Sequence, residues 1–221
     1  MSFKRNQIEE AIARIFAPNC QEPPSELRTR IKRLLELDRS LGRDLWSEDK
    51  ERANFGFFSE EPPGTGADIS FSEYDAFALL NGLRIMEHGW PQSVAVSIMR
   101  RIRRDLEKEH ARILRQNPVG LFDREAIRAK ARPGDIAFDN VDPVLIALVS
   151  GAQRAPDQAG APPLAAVCRG MKKVNQFIGS VGGSSISVLE VVTLGHRLHQ
   201  ELRKTGPKRR GRVPADADRS G

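Results

Sequence analysis

Cysteine is nearly missing from this chain. Cys20 and Cys168 stand far apart with no Cys-x-x-Cys pair, which argues against a disulfide framework or a zinc cluster and leaves two reduced, packed thiols as the expectation. Long apolar runs are missing too. The longest, residues 144–149, falls far short of the roughly 20 residues that span a bilayer. The opening Met-Ser-Phe-Lys-Arg-Asn-Gln-Ile-Glu-Glu lacks an apolar signal core, so the expected location is the cytoplasm, with no membrane partner.

Catalytic patterns are equally thin. There is no Gly-x-Ser-x-Gly elbow and no His-Glu-x-x-His zinc motif. His196 and His199 stand three apart, a spacing that can hold a metal, but no further ligands accompany them, and they read as surface histidines. The segment Gly179-Ser-Val-Gly-Gly-Ser-Ser lacks the lysine of a nucleotide-binding loop and reads as a connector. Glu9-Glu10 and Glu60-Glu61 read as exposed sequence neighbours rather than buried acid–base pairs. The expectation is therefore a protein without catalytic residues, metal or cofactor.

What the chain does have is clustered positive charge. Lysine and arginine number 35 against 29 acidic residues, a formal +6 that is compatible with a polyanionic partner. The clusters are Arg28-Thr29-Arg30-Ile31-Lys32-Arg33, Arg100-Arg101-Ile102-Arg103-Arg104 and, in the tail, Lys208-Arg209-Arg210-Gly211-Arg212. Each run alone reads as a solvated helix face; three together point towards phosphate.

Apolar spacing organises the first half of the chain. Ile8, Ile12, Ile15 and Phe16 predict a first helix over about residues 5–17 that ends near Pro18. After Pro23-Pro24, Ser25 is placed to cap a second helix with Leu27, Ile31, Leu34 and Leu35 on one side and a nearly all-basic opposite side. Residues 54–59 and 67–71 flank a Pro/Gly-rich turn and read as a two-stranded wing. Ser72 and Asp75 have the spacing of a capping box at the start of a third helix, whose apolar face is Ala76, Leu79, Leu80, Leu83 and Met86. A fourth helix runs from Pro91 to about Gln116, and its narrow stripe of Val94, Ile98, Ile102, Leu106 and Ile113 suggests a dimer seam.

The second half is read as helical throughout. Residues 123–131, 144–149, 164–178 and 187–204 are the expected helices, with a flexible connection over residues 153–163. The expected division is a winged-helix domain over 1–90, a linking or dimerisation helix over 91–116, a helical region over 117–204 and a disordered basic tail over 205–221. The fold class is mainly α.

The segment Ser25-Glu-Leu-Arg28-Thr-Arg30-Ile-Lys-Arg33-Leu, followed by Ile69-Ser-Phe71-Ser72-Glu-Tyr74-Asp-Ala-Phe77 and the Gly89-Trp-Pro turn, resembles the DNA-binding domain of MerR-type winged-helix regulators. The likeness covers about residues 5–115 and lies in the order helix, turn, basic helix, wing, helix, glycine turn, long helix. It implies a bacterial-type, sequence-specific transcription regulator on the nucleoid, with double-stranded DNA as partner and a homodimer as the working form. Here the connection before the wing is longer than the family's, and the wing carries Glu60, Glu61 and Asp68 where basic residues would suit phosphates. The family's metal-binding cysteines have no counterpart in this chain.

On this reading Arg28 and Arg30 face guanine edges in a major groove, while Lys32 and Arg33 pair with phosphates. Ser25 sets the helix N-terminus against a phosphate, with Thr29 on the same face. Arg100, Arg101, Arg103 and Arg104 are expected to form interhelical ion pairs. Two other functions fit the same residues: a non-specific architectural DNA binder, or a helical adaptor or anti-regulator that holds a protein partner, for which the C-terminal helices offer a surface. Exposure of residues 25–33 in the folded protein discriminates the adaptor reading from the other two.

Overall fold

The computed structural model describes residues 1–62, 69–130, 136, 138–150, 163–183 and 185–206. The flexible connection expected over 153–163 lies outside these residues except for Pro163, as does the tail beyond Gly206.

The described residues are mainly helical, with small antiparallel sheets. A short strand β1 (Ser2–Lys4) leads directly into α1 (Arg5–Phe16), where the Lys4 amide donates to Gln7 Oε1 at 2.9 Å. Ile8, Ile12 and Ile15 form the buried stripe of α1, and Pro18 follows its end closely. Next come α2 (Ser25–Ser40), the single turn α3 (Lys50–Ala53), strand β2 (Ser70–Ser72) and α4 (Glu73–Glu87). Ser72 accepts from the Asp75 amide at 3.1 Å and Asp75 accepts from the Ser72 amide at 2.8 Å, the reciprocal box that the spacing implies. Eleven of the fifteen residues of α4 are buried, so this helix runs through the core rather than over it. It is followed by α5 (Gln92–Ile113), α6 (Pro118–Leu121) and α7 (Arg124–Lys130).

The two-stranded wing does not form as the sequence suggests. β2 pairs antiparallel with β1, Phe3 opposite Phe71, and not with residues 54–59. Phe55, Phe57 and Phe58 are all buried, and adjacent buried residues are incompatible with the alternating faces of a half-exposed hairpin strand. The proposed turn, residues 63–68, lies outside the described residues.

The C-terminal half also departs from an all-helical reading. Residues 144–149 belong to β3 (Val144–Ser150), the centre of a three-stranded sheet between β4 (Leu164–Arg169) and β5 (Ser185–Glu190). β3 is antiparallel to both neighbours, so β4 and β5 run parallel, joined across β3 by α8 (Gly170–Val181). The run is apolar at every position because both faces of the strand are covered. Val144, Ile146 and Leu148 join the main core, while Leu145 and Ala147 pack with Cys168 and Val174 beneath α8. The helix expected over 164–178 is therefore a strand and then a helix, divided at Gly170, whose φ of +68° only glycine adopts without strain. Likewise 187–204 divides into β5 and α9 (Val192–Lys204), where the buried Glu190 carboxylate accepts from the Val192 and Thr193 amides.

One apolar core contains residues from every part of this order, from Phe3 to Leu202. The stripe Val94, Ile98, Ile102, Leu106 and Ile113 belongs to it. The last four are buried and Val94 packs against the core, because α2, α3, α4, α9 and β4 all contact α5. These residues therefore do not form an exposed dimer seam. Thr205, expected at the start of a disordered tail, is buried, with its carbonyl accepting from Gln7 Nε2 at 2.9 Å.

Candidate nucleic-acid interface

The basic face rests on α2. Pro24 occupies the capping position and its carbonyl accepts from the Arg28 amide at 3.1 Å, so Ser25 is the first helical residue and not the cap. The Pro23-Pro24 pair places the turn of chain before Ser25, which leaves the Ser25 carbonyl to accept from Thr29 Oγ1 at 2.9 Å. Ile31, Leu34 and Leu35 face the core, with Leu27 half-buried beside them. Ser25, Arg28, Thr29, Lys32 and Arg33 are exposed, and Arg30 is half-buried at the edge of the face.

Acidic residues partner several of these cations. Arg30 pairs with Glu26 at 2.5 Å, Lys32 with Glu36 at 3.5 Å and Arg28 with Glu22 at 3.8 Å. Exposed i,i+4 pairs contribute only about 0.3–0.5 kcal/mol, so a phosphate or base edge can displace a carboxylate at little cost. Arg33 has no acidic partner among the described residues. Its carbonyl accepts from Gln92 Nε2 at 2.8 Å, which ties α2 to the start of α5. From α1, Arg5 reaches the Arg28 carbonyl at 3.2 Å and adds a cation that the sequence reading did not include in this face.

Arg30 lines a shallow groove of about 170 Å³ with Ala13, Phe16, Leu27 and Leu83. It therefore stands at the α1 and α4 side of α2, away from the outward row of Arg28, Lys32 and Arg33. Sequence spacing did not separate these roles, because the groove is formed only when α1 and α4 pack against α2.

The arginine run on α5 serves the interior. Arg100 is 2% exposed and pairs with buried Asp38 at 3.2 Å. It also donates to the carbonyls of Glu51 at 2.7 Å, Asp38 at 3.2 Å and Gly42. Asp38 in turn accepts from the amides of Gly56 at 3.0 Å and Phe57 at 2.8 Å. Burial pushes the Asp38 carboxyl above its ordinary value, against the opposing pull of these amides and the Arg100 guanidinium. Arg103 donates to the Phe55 carbonyl at 3.1 Å, lies 3.5 Å from Asp75 and sits over the Tyr74 ring. Arg101 pairs with Glu51 at 2.8 Å, and Arg104 is exposed. Together Arg100 and Arg103 hold the irregular stretch after α2 against α5. A signal for this was present: Asp38 continues the apolar stripe of α2 at i+4 from Leu34, where a charge must find a buried partner.

The histidines are not surface residues. His196 is buried against the edge of the Phe122 ring, and no partner for its Nε2 is found among the described residues. His199 pairs with Glu73. His110 is stacked on Phe77 at 4.5 Å, and burial pushes its pKa down to about 4. No group of three or more potential ligands is arranged to hold a metal ion among the described residues. Cys168 is buried, whereas Cys20 is half-exposed and donates to the Glu22 carbonyl, so only one of the two thiols is packed inside. Glu60 and Glu61 are exposed, and Glu61 pairs with Arg43 at 3.1 Å. No described helix is long and apolar enough to cross a membrane.

Compared with known proteins, the chain matches no family model and no curated protein.

Proposed function

We propose that this protein is a DNA-binding regulator whose α2 enters a major groove. The observation that carries the reading is the exposure of Arg28, Thr29, Lys32 and Arg33 on one face of a helix whose other face is anchored in the core. A helix fixed in this way presents its cations in a set register, and B-DNA admits a helix into its major groove. Arg28 is the side chain assigned to a guanine edge, by the bidentate geometry of its guanidinium. Lys32, Arg33 and Arg5 are assigned to phosphates, and Arg30 to the edge of the contact.

The test is fluorescence anisotropy with duplex DNA from upstream of the protein's own gene and with a scrambled duplex, each at two salt concentrations. Arg28→Ala is expected to reduce discrimination between the duplexes by about 1–3 kcal/mol. Arg33→Ala is expected to weaken binding to both alike and to lower the salt slope by about 1. Absence of binding to either duplex at low salt sinks the reading, and equal salt-sensitive binding to both replaces it with an architectural role.

A further inference from the structure

Opposite in character to the basic helix is the loop between α2 and α3. Trp46 is 94% exposed, Leu45 64% and Leu41 56%, three large apolar side chains within six residues. Exposed apolar residues are ordinary when single, but a tryptophan grouped with two leucines marks a contact surface.

The loop holds this display in place. The Asp44 amide donates to the Arg52 carbonyl at 2.8 Å, and Asp44 accepts the Trp46 amide on its side chain at 3.0 Å and the Ser47 amide on its carbonyl at 3.1 Å. Ser47 Oγ accepts from the Asp49 amide at 3.2 Å, and Asp49 accepts from the Glu51 amide at 2.9 Å. At the base of the loop the Gly42 carbonyl is held by Arg100, and Arg43 lies over the Phe55 ring. With its backbone already fixed, the loop loses little further freedom when a partner binds. Beside the apolar residues opens a cleft of about 590 Å³, bounded by Leu41, Asp44, Asp49 and Arg52 among others.

Charge selects the occupant. Asp44, Glu48 and Asp49 are exposed and flank Trp46 in sequence. The nearby cations are largely engaged: Arg43 with Glu61, and Lys50 with Asp105 at 4.0 Å, which leaves Arg52 across the cleft. An acidic rim disfavours nucleic acid and anionic lipid, and two copies of the patch face to face would oppose carboxylate to carboxylate. We propose that Leu41, Leu45 and Trp46 form a docking surface for a protein partner that offers an apolar pocket rimmed by lysine or arginine. The surface is built separately from the α2 face and stands independently of the DNA reading.

The test uses the full chain and a labelled synthetic helical peptide with leucine on one face and lysine on the other; its probe controls are the same peptide with glutamate for lysine, anionic phospholipid vesicles and a single-stranded oligonucleotide. Saturable binding of the lysine peptide is expected, weakened at least tenfold by Trp46→Ala and again by Glu48→Lys, with thermal melts unchanged because both side chains are exposed. No binding, equal binding by the Trp46→Ala variant, or equal binding of the glutamate peptide overturns the proposal. So does Trp46-dependent binding to vesicles or oligonucleotide, or Trp46-dependent self-association in sedimentation.

Discussion

A guanidinium enclosed in an apolar core is stable only if its N–H groups and its charge are both answered, and Arg100 has Asp38 for the charge and three backbone carbonyls for the donors. Those carbonyls belong to residues 38, 42 and 51, so one side chain fixes both ends of the stretch that carries Trp46. Arg100→Met keeps the volume but leaves the Asp38 carboxylate and the carbonyls without their partner. Breaking such a pair costs about 3–5 kcal/mol, and the expected result is a correspondingly lower midpoint in urea. A loss below about 1 kcal/mol would show that water replaces the guanidinium. By contrast, replacing an exposed cation such as Arg33 should leave stability within about 0.5 kcal/mol of the parent chain.

Among the elements, α4 shows how a helix accommodates a loop. Gly82 lies where a Cβ would stand 2.8 Å from the Phe57 ring, so the absence of a side chain lets the arginine-held segment pack against the helix. Helix propensity alone favours Gly82→Ala by about 1 kcal/mol. The ring contact opposes it, and overpacking of a core typically costs about 1–3 kcal/mol. Gly82→Ala is therefore expected to lower the melting temperature, and Phe57→Leu combined with it to recover part of the loss in a double-mutant cycle. Strict additivity of the two changes would show that the contact does not limit the packing. The same helix was legible beforehand at its start, since a Ser-x-x-Asp box is a local device. Its contact with Phe57 was not, because residues 57 and 82 meet only through the tertiary fold.

At the scale of the molecule, α4, α5 and α9 bring His110, His196 and His199 together around Phe77, Tyr74 and Glu73. Burial depresses the pKa of both His110 and His196, with neighbouring histidines adding to the effect and, for His110, Glu73 opposing it. A base with a lowered folded-state pKa binds more protons when unfolded, so stability rises with pH through this window. The His110 contribution is present above pH 6.5 and is lost as pH falls towards about 4. It amounts to something on the order of 3 kcal/mol at full extent. Urea titrations at pH 7 and pH 4.5 should show the loss, and His110→Phe, which keeps the stacking on Phe77, should flatten it. An unchanged pH dependence in that variant would assign the loss to the carboxylates Glu109 and Asp142, whose pKa values are held below normal by Arg169 and Arg112 respectively, against the cost of burial.

Local pattern by itself determined the first half: helical spacing marked α1, α2, α4 and α5, prolines marked their boundaries, and the outward charge of α2 followed from its apolar stripe. These features depend on neighbours within a turn of helix, which is the range over which sequence spacing speaks. Tertiary structure alone decided that the apolar run 144–149 is a strand, since covering both faces removes the alternation that separates strand from helix. It likewise decided that β2 pairs with β1, that the α5 stripe is enclosed by its own chain, and that Arg100 points inward while Trp46 points out. Each of those outcomes turns on which distant surface arrives to bury a group, and burial is a property of the assembled molecule.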